Sequence, residues 1–173
     1  MLKGQKVYLR ALEPSDATKL LLWENNISNW RVSDTEVPFS MHDITSYIEN
    51  AHNIRSTGQL RFIICKVDSN ESIGAIDLYD ANFKHGRAGV GVLIGEENER
   101  SNGYASESLE LLNEYADKVL GFHSLFCSIH SDNLSSIRLF EKCNFEKIGV
   151  RKDWYLEQGQ RIDEILYQIC LKK

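Results

Sequence analysis

The chain has no paired cysteines, no apolar run long enough to cross a bilayer, no excess of basic charge, no internal repeat and no low-complexity linker. Each absence removes a class of protein. Cys65, Cys127, Cys143 and Cys170 stand far apart, without a C-x-x-C pair or histidines at zinc spacing. That excludes the usual zinc frames and argues against any metal. Three of the four lie in apolar runs, as small buried hydrophobes of a reducing compartment do. The opening "MLKGQKVYLRAL" lacks the apolar segment of a signal peptide, so a cytoplasmic protein without membrane contact is expected. The formal net charge is −5. Proteins that track phosphate backbones are normally basic, so no nucleic-acid partner is expected and cationic partners are favoured.

What is present is the composition of a soluble globular chain, 173 residues long, enough for one domain over residues 1–173 to bury its own core. "VYLRAL" alternates as a strand, and "PSDATKLLLWENN" follows as a helix with Ser15 or Asp16 at its N-cap. Ser40, with Asp43 three residues on, opens a second helix that presents Ile44, Tyr47, Ile48 and Ala51. From Gln59 the pattern turns to strands: "LRFIICKV", "IGAIDLYDA" and "AGVGVLI", a consecutive set that reads as an antiparallel meander. After Gly103 the period switches. Ala105, Leu109, Leu112, Ala116 and Val119 recur at helical spacing, and Gly121 supplies a stop. A short strand, "SLFCSIH", precedes a helix capped by Asp132 or Asn133. Two last strands flank "EQGQ". The expected fold is α+β: a mixed sheet of six or seven strands, antiparallel in its first half, with about four helices. The helix from Tyr104 is the crossover that makes a parallel pair.

The junction "GVGVLIGEENERSNGYASES" carries the chemistry. Glycines inside a strand leave gaps where another backbone or a ligand comes close. A helix N-terminus offers unpaired N–H groups and partial positive charge, and small residues let an anion reach them. The G-K-[ST] of a Walker A loop is missing, as is the G-x-G of a Rossmann turn.

Arg100, Gly103 and Ala105, in R-S-N-G-Y-A, match the Q/R-x-x-G-x-G/A pattern of the GNAT family of N-acetyltransferases. "HSDNLSSIRLFEKCNF", with Asn133, Ser136 and Phe145, matches the family's second feature. The chain resembles that family over nearly its whole length, most closely the spermidine and the ribosomal-protein N-terminal acetyltransferases. The resemblance implies a GNAT-like fold and acetyl-CoA as co-substrate. Arg100, Ser101, Asn102, Gly103, Tyr104 and Ala105 would hold the pyrophosphate by backbone N–H groups. The backbone of Val92, Leu93 and Ile94 would pair with the pantetheine arm, which would explain the glycines, and Asn133 and Ser136 would flank it.

Three positions depart from the family pattern. Ser101 replaces a glycine, Asn102 a frequent basic residue, and Phe140 a tyrosine that acts as general acid in many relatives. A general acid is worth roughly 10²–10⁴ in rate, but a thiol of pKa about 8.5 is already a fair leaving group. Phe140 should lie on the face of Asn133, its ring edge toward the thioester. No strand glutamate is available as base, so Asp77, Tyr79 and His130 are the candidates. A surface carboxylate, a rim aromatic and a structural histidine are their plain readings. Asp34 and Glu36 lie in an acidic segment between Glu24 and Asn50 and are the candidate substrate-binding residues. The acceptor would be a small cationic amine or a protein N-terminus. The rival function is an acyl-CoA sensor with little turnover. A homo-oligomer is left open.

Overall fold

The computed structural model describes residues 2–33, 35–51 and 53–171. The substrate candidate Asp34 lies outside the described residues. Seven strands form one mixed sheet: β1 (Val7–Ala11), β2 (Leu60–Lys66), β3 (Ser72–Asn82), β4 (Arg87–Ile94), β5 (Ser124–His130), β6 (Glu146–Glu157) and β7 (Gln160–Cys170), in the spatial order β1-β2-β3-β4-β5-β7-β6. The first four run antiparallel as a meander, β4 and β5 are parallel, and β5-β7-β6 are antiparallel again. The crossover between the parallel strands is α5 (Tyr104–Lys118), as its helical period predicts.

Alternation along the strands divides the core between the two faces of the sheet. Val7, Leu9, Phe62, Ile64, Ile76, Leu78 and Val90 pack with Leu109, Leu112 and Ala116 of α5 and with Phe140 of α6 (Leu134–Lys142). The opposite face packs Ile63 and Cys65 against Leu20 and Trp23 of α1 (Ala17–Glu24) and against Ile44 and Ile48 of α3 (Met41–Asn50).

The described residues hold six α-helices rather than four. The two extra ones are short, α2 (Ile27–Ser33) and α4 (Ile54–Thr57), and both begin at an asparagine. The Asn26 side chain accepts from the N–H of Ser28 at 3.0 Å and separates α2 from α1. Asn53 accepts from Ser56 at 3.3 Å, and Gly58 closes α4 at φ +70°. Short Asx-capped turns carry too few apolar positions for a period to show. Asp16 stands at the N-cap position of α1, as expected, but makes no side-chain cap bond. Its carboxylate takes the Arg10 guanidinium at 2.6 and 2.7 Å and the Glu13 N–H at 2.9 Å. The expected cap Ser40 does accept from Asp43 N–H, and Asn133 caps α6 through Ser136 N–H at 3.2 Å. In "EQGQ", Gln158 and Gly159 both have positive φ, 47° and 82°. That is the two-residue hairpin turn whose twist suits the flanking strands.

Candidate functional site

The parallel pair is short. β4 and β5 share only the register Arg87↔Ser124 to Gly89↔Phe126. Beyond Gly89 the two strands separate, and β4 continues to Ile94 bonded on one edge only, to β3. Gly95 N–H donates to Ile73 O at 2.9 Å. Since hydrogen-bonded pairs alternate along an antiparallel ladder, Gly91 and Leu93 point their backbone groups at β3. Val90 closes the last rung to β5, and Val92 and Ile94 turn theirs into the gap. Of the expected Val92–Ile94 backbone, Val92 and Ile94 therefore face the gap and Leu93 does not. The Ile94 carbonyl accepts from Arg100 Nε at 3.1 Å, which bends the following loop back over the end of the strand.

A cavity of about 840 Å³ opens from this gap. Gly91, Val92, Leu93, Asn133, Ser136 and Phe140 line one part of it, and Glu24, Tyr47, Arg61, Asp77, Trp154 and Glu164 another. The glycine reading needs correction here. A Cβ on Gly89 would sit 2.3 Å from the Tyr79 ring, and one on Gly95 2.4 Å from the Trp23 ring. These two glycines make room for aromatic side chains of the protein. Only Gly91 is open, its nearest neighbour being the Tyr79 ring at 4.0 Å.

The loop after β4 is shaped for an anion. Gly103 holds φ +83° and Ser101 φ +66°. Among the described residues, the N–H groups of Ser101, Asn102 and Gly103 donate to no backbone acceptor, whereas Arg100 N–H closes a turn on Glu97 O. A cation from far along the chain stands beside Asn102. Lys6 Nζ donates to Asn102 O at 3.0 Å and lies 3.4 Å from where a Gly103 Cβ would stand. Lys6 is fixed there by Glu107, in the first turn of α5, whose carboxylate accepts the N–H groups of Gln5, Lys6 and Val7, each at 2.8 Å. Hydrogen bonds to a charged acceptor contribute about 1.5–3 kcal/mol, so Glu107→Ala should cost about 2 kcal/mol. A denaturant midpoint unchanged by Glu107→Ala would mean that sheet pairing alone holds the first strand.

The base candidates are placed as follows. Asp77 is not a plain surface carboxylate: it pairs with Arg61 at 2.5 and 3.0 Å, and Arg61 also meets Glu24 at 2.5 Å and lies over the Tyr47 ring at 5.1 Å. Burial opposes the Arg61 charge, but Asp77 and Glu24 more than offset it and keep the guanidinium ionised. Burial pushes the Tyr79 hydroxyl up to about 12, helped by nearby Cys127 and Asp80. Tyr79 therefore keeps its proton at neutral pH, and its ring meets Phe126 edge-on. His130 stacks on the Tyr155 ring, with centroids 3.7 Å apart. All three line the cavity.

Phe140 lines it as well, but as core. It is 5% exposed and packs edge-on against Phe145 at 5.0 Å. Phe140 is therefore both buried core and cavity wall, beside Asn133 and Ser136. Glu36 is exposed on the segment before α3 and does not line the cavity, although Thr35 and Phe39 do.

Sequence reasoning missed Glu164. Burial alone would raise its pKa. Hydrogen bonds from Tyr155, Ser128 and Arg151 outweigh that and hold it below the ordinary glutamate range. The Tyr155 hydroxyl donates to it at 2.7 Å and Arg151 at 2.6 Å. Arg61, flanked by apolar residues within a strand, was a signal available in the sequence.

The arrangement can take an extended, amide-bearing ligand along the free β4 edge, with an anionic end on the Ser101–Gly103 loop and a reactive end in the cavity. Comparison with known proteins gives the family and the fold. The family model described as an acetyltransferase (GNAT) domain matches residues 6–146. The chain is 29% identical over 170 residues to the uncharacterized N-acetyltransferase YoaA of Bacillus subtilis, covering 98% of this chain and 96% of that protein. It is 26% identical to the uncharacterized N-acetyltransferase p20 of Bacillus licheniformis, covering 98% and 95%. Among solved structures, spermidine N-acetyltransferase from Vibrio cholerae, in complex with CoA and spermine, superposes with a TM-score of 0.87 at 20% identity, over 97% of both chains. At that identity the likeness concerns the fold.

Proposed function

The chain belongs to the GNAT acetyltransferase family, and from that premise we propose that it uses acetyl-CoA to acetylate a primary amine carried by a small cationic molecule or a protein N-terminus. One observation carries the reading. The β4 edge, free beyond Gly89, leads from an anion-shaped loop directly into a cavity that holds ionisable groups. A CoA complex of the similarly folded Vibrio protein supports the choice of co-substrate.

Acetyl-CoA fits the residues present. Val92 and Ile94 offer backbone N–H and C=O groups to the pantetheine amides. Gly91 leaves the wall beside them open. Ser101, Asn102, Gly103, Tyr104 and Ala105 surround the pyrophosphate, with Lys6 as the cation. Asn133 and Ser136 border the other side of the gap. The thioester supplies the acetyl group, and the chain's own residues orient it and hold the acceptor.

The acceptor must lose the proton of an ammonium whose pKa is about 10.4. Its nitrogen then attacks the thioester carbon and the C–S bond breaks. Tyr79 cannot be the base, because it holds its own proton. Asp77 is engaged by Arg61, and His130, which lines the cavity, is the candidate that stays. The ammonium gives its first proton to His130 or to cavity water before attack. The nitrogen loses its second as the C–S bond breaks, to the departing thiolate or to water, with no acid at position 140. This predicts a modest kcat that rises with pH as the neutral amine becomes available.

The test is thiol release from acetyl-CoA with and without a primary amine, with mass measurement of the amine. Amine-dependent release with acetylated product is expected. Binding of acetyl-CoA without release would favour the sensor reading instead.

Lys6 gives a sharper test of the placement. Lys6→Met should weaken CoA binding about five- to tenfold, the scale of one charge-assisted contact. Binding of pantetheine, which lacks the phosphates, should not change. Equal losses for both ligands would remove Lys6 from the phosphate site.

A further inference from the structure

The cavity has an acidic lining, but its carboxylates are already committed. Among the described lining residues, Glu24 and Asp77 share Arg61, and Glu164 holds Arg151 and the Tyr155 hydroxyl. Asp43 accepts from the N–H and hydroxyl of Ser40, at 2.8 and 2.7 Å. Arg31, the other lining cation, is taken by Asp132 and Glu157. Each described cavity charge thus has a partner within the protein, although Asp43, held by a neutral serine, is exposed and keeps its own charge in water. The Glu24–Arg61–Asp77 group keeps one surplus negative charge.

What the mouth offers in excess is apolar surface. Three lining residues stand open there: Val32 at 55% exposure, Trp154 at 54% and Phe39 at 38%. Large apolar side chains left exposed around a concave site mark a binding surface. The protein also holds its own cations on rings nearby: Arg61 over Tyr47, and Arg151 over Trp154 at 4.7 Å. A linear polyamine brings several ammonium groups, and each needs a counter-charge or water. An apolar rim displaces the water and provides no counter-charge. An amine with a single charge needs only the surplus of the Arg61 group, and an apolar body on that amine would cover the rim.

We propose that the acceptor is a monocationic primary amine joined to an apolar, ring-stacking body, selected by the Val32–Phe39–Trp154 rim rather than by multiple charge. The inference rests on the acetyl-transfer reading. Two sources share this chemistry, an arylalkylamine and a polypeptide N-terminus whose first side chain is apolar.

The experiment is kcat/KM at fixed acetyl-CoA for 2-phenylethylamine, tryptamine, hexylamine, short peptides beginning with Met or Ser, and spermidine. The best apolar monocation should exceed spermidine by about tenfold or more, which is about 1.4 kcal/mol in transition-state binding. If the source is a protein N-terminus, the Met peptide should lead and the Ser peptide should trail; if it is a small amine, tryptamine or 2-phenylethylamine should lead. Trp154→Ala, at an exposed position, should raise KM for the leading amine about fivefold and leave kcat nearly unchanged. Spermidine leading the panel would overturn this inference alone, as would a Trp154→Ala variant with unaltered KM. No turnover with any amine would overturn the acetyl-transfer reading and this inference with it.

Discussion

Gly103→Glu should abolish the thermal stabilisation that acetyl-CoA gives the wild-type chain. A ligand at 100 times its dissociation constant adds about 2.7 kcal/mol. For a chain of this length, each kcal/mol shifts Tm by about 2–4 °C, so the wild-type protein should gain roughly 5–11 °C. Position 103 has φ +83°, and its Cβ direction leads toward Lys6 Nζ at 3.4 Å. A glutamate there occupies the anion's space and offers Lys6 a competing carboxylate. Left-handed backbone costs a non-glycine residue about 1–2 kcal/mol, so the unliganded variant should melt a few degrees lower and still cooperatively. Differential scanning fluorimetry with and without acetyl-CoA separates the two effects. A ligand shift of wild-type size in Gly103→Glu would place the phosphates elsewhere.

Arg61→Met should be among the most damaging single changes outside the hydrophobic core. It leaves Glu24 and Asp77 side by side without their counter-ion. Their side chains are 14% and 24% exposed, and that of Arg61 is 18% exposed. Removing one partner of such a group costs about 3–5 kcal/mol, and the adjoining cavity water keeps the value near the lower end. The variant should also lose the Tyr47 contact and the shaped floor of the cavity, so kcat/KM should fall with stability. Adding Glu24→Leu and Asp77→Leu should recover much of the stability and none of the turnover, because no unpaired charge remains but no cation seat remains either. Denaturant unfolding checks the first part and steady-state rates the second. A loss of stability below about 1 kcal/mol would show that the three charges behave as solvated surface groups.

Local chemistry made much of this molecule legible. The meander, the crossover helix after Gly103, the Ser40 and Asn133 caps and the Gln158–Gly159 turn all depend on residues a few positions apart. What did not show depends on residues that only the tertiary fold brings together. Lys6 reaches Asn102 across 96 positions, and Arg61 gathers partners 37 and 16 positions away. In the sequence, the glycines of the junction look like places for a ligand. For Gly89 and Gly95 the occupant is a ring from another element, Tyr79 or Trp23, and nothing within the strand announces it. Phe140 belongs to both categories. Its helix face followed from its spacing from Asn133, but its burial against Phe145 followed from how α6 docks on the sheet.

The placement of the co-substrate comes down to which backbone groups it covers. Amide hydrogen exchange, followed residue by residue with and without acetyl-CoA, reads this without any substitution. The amides of Val92 and Ile94, which face the gap, and those of Ser101, Asn102 and Gly103 should slow when acetyl-CoA is added. Gly91 and Leu93, already bonded to β3, should change little. Slowing confined to other regions, such as the β6–β7 hairpin, with the β4 edge and the Ser101–Gly103 loop unaffected, would contradict acetyl-CoA binding in the gap between β4 and β5.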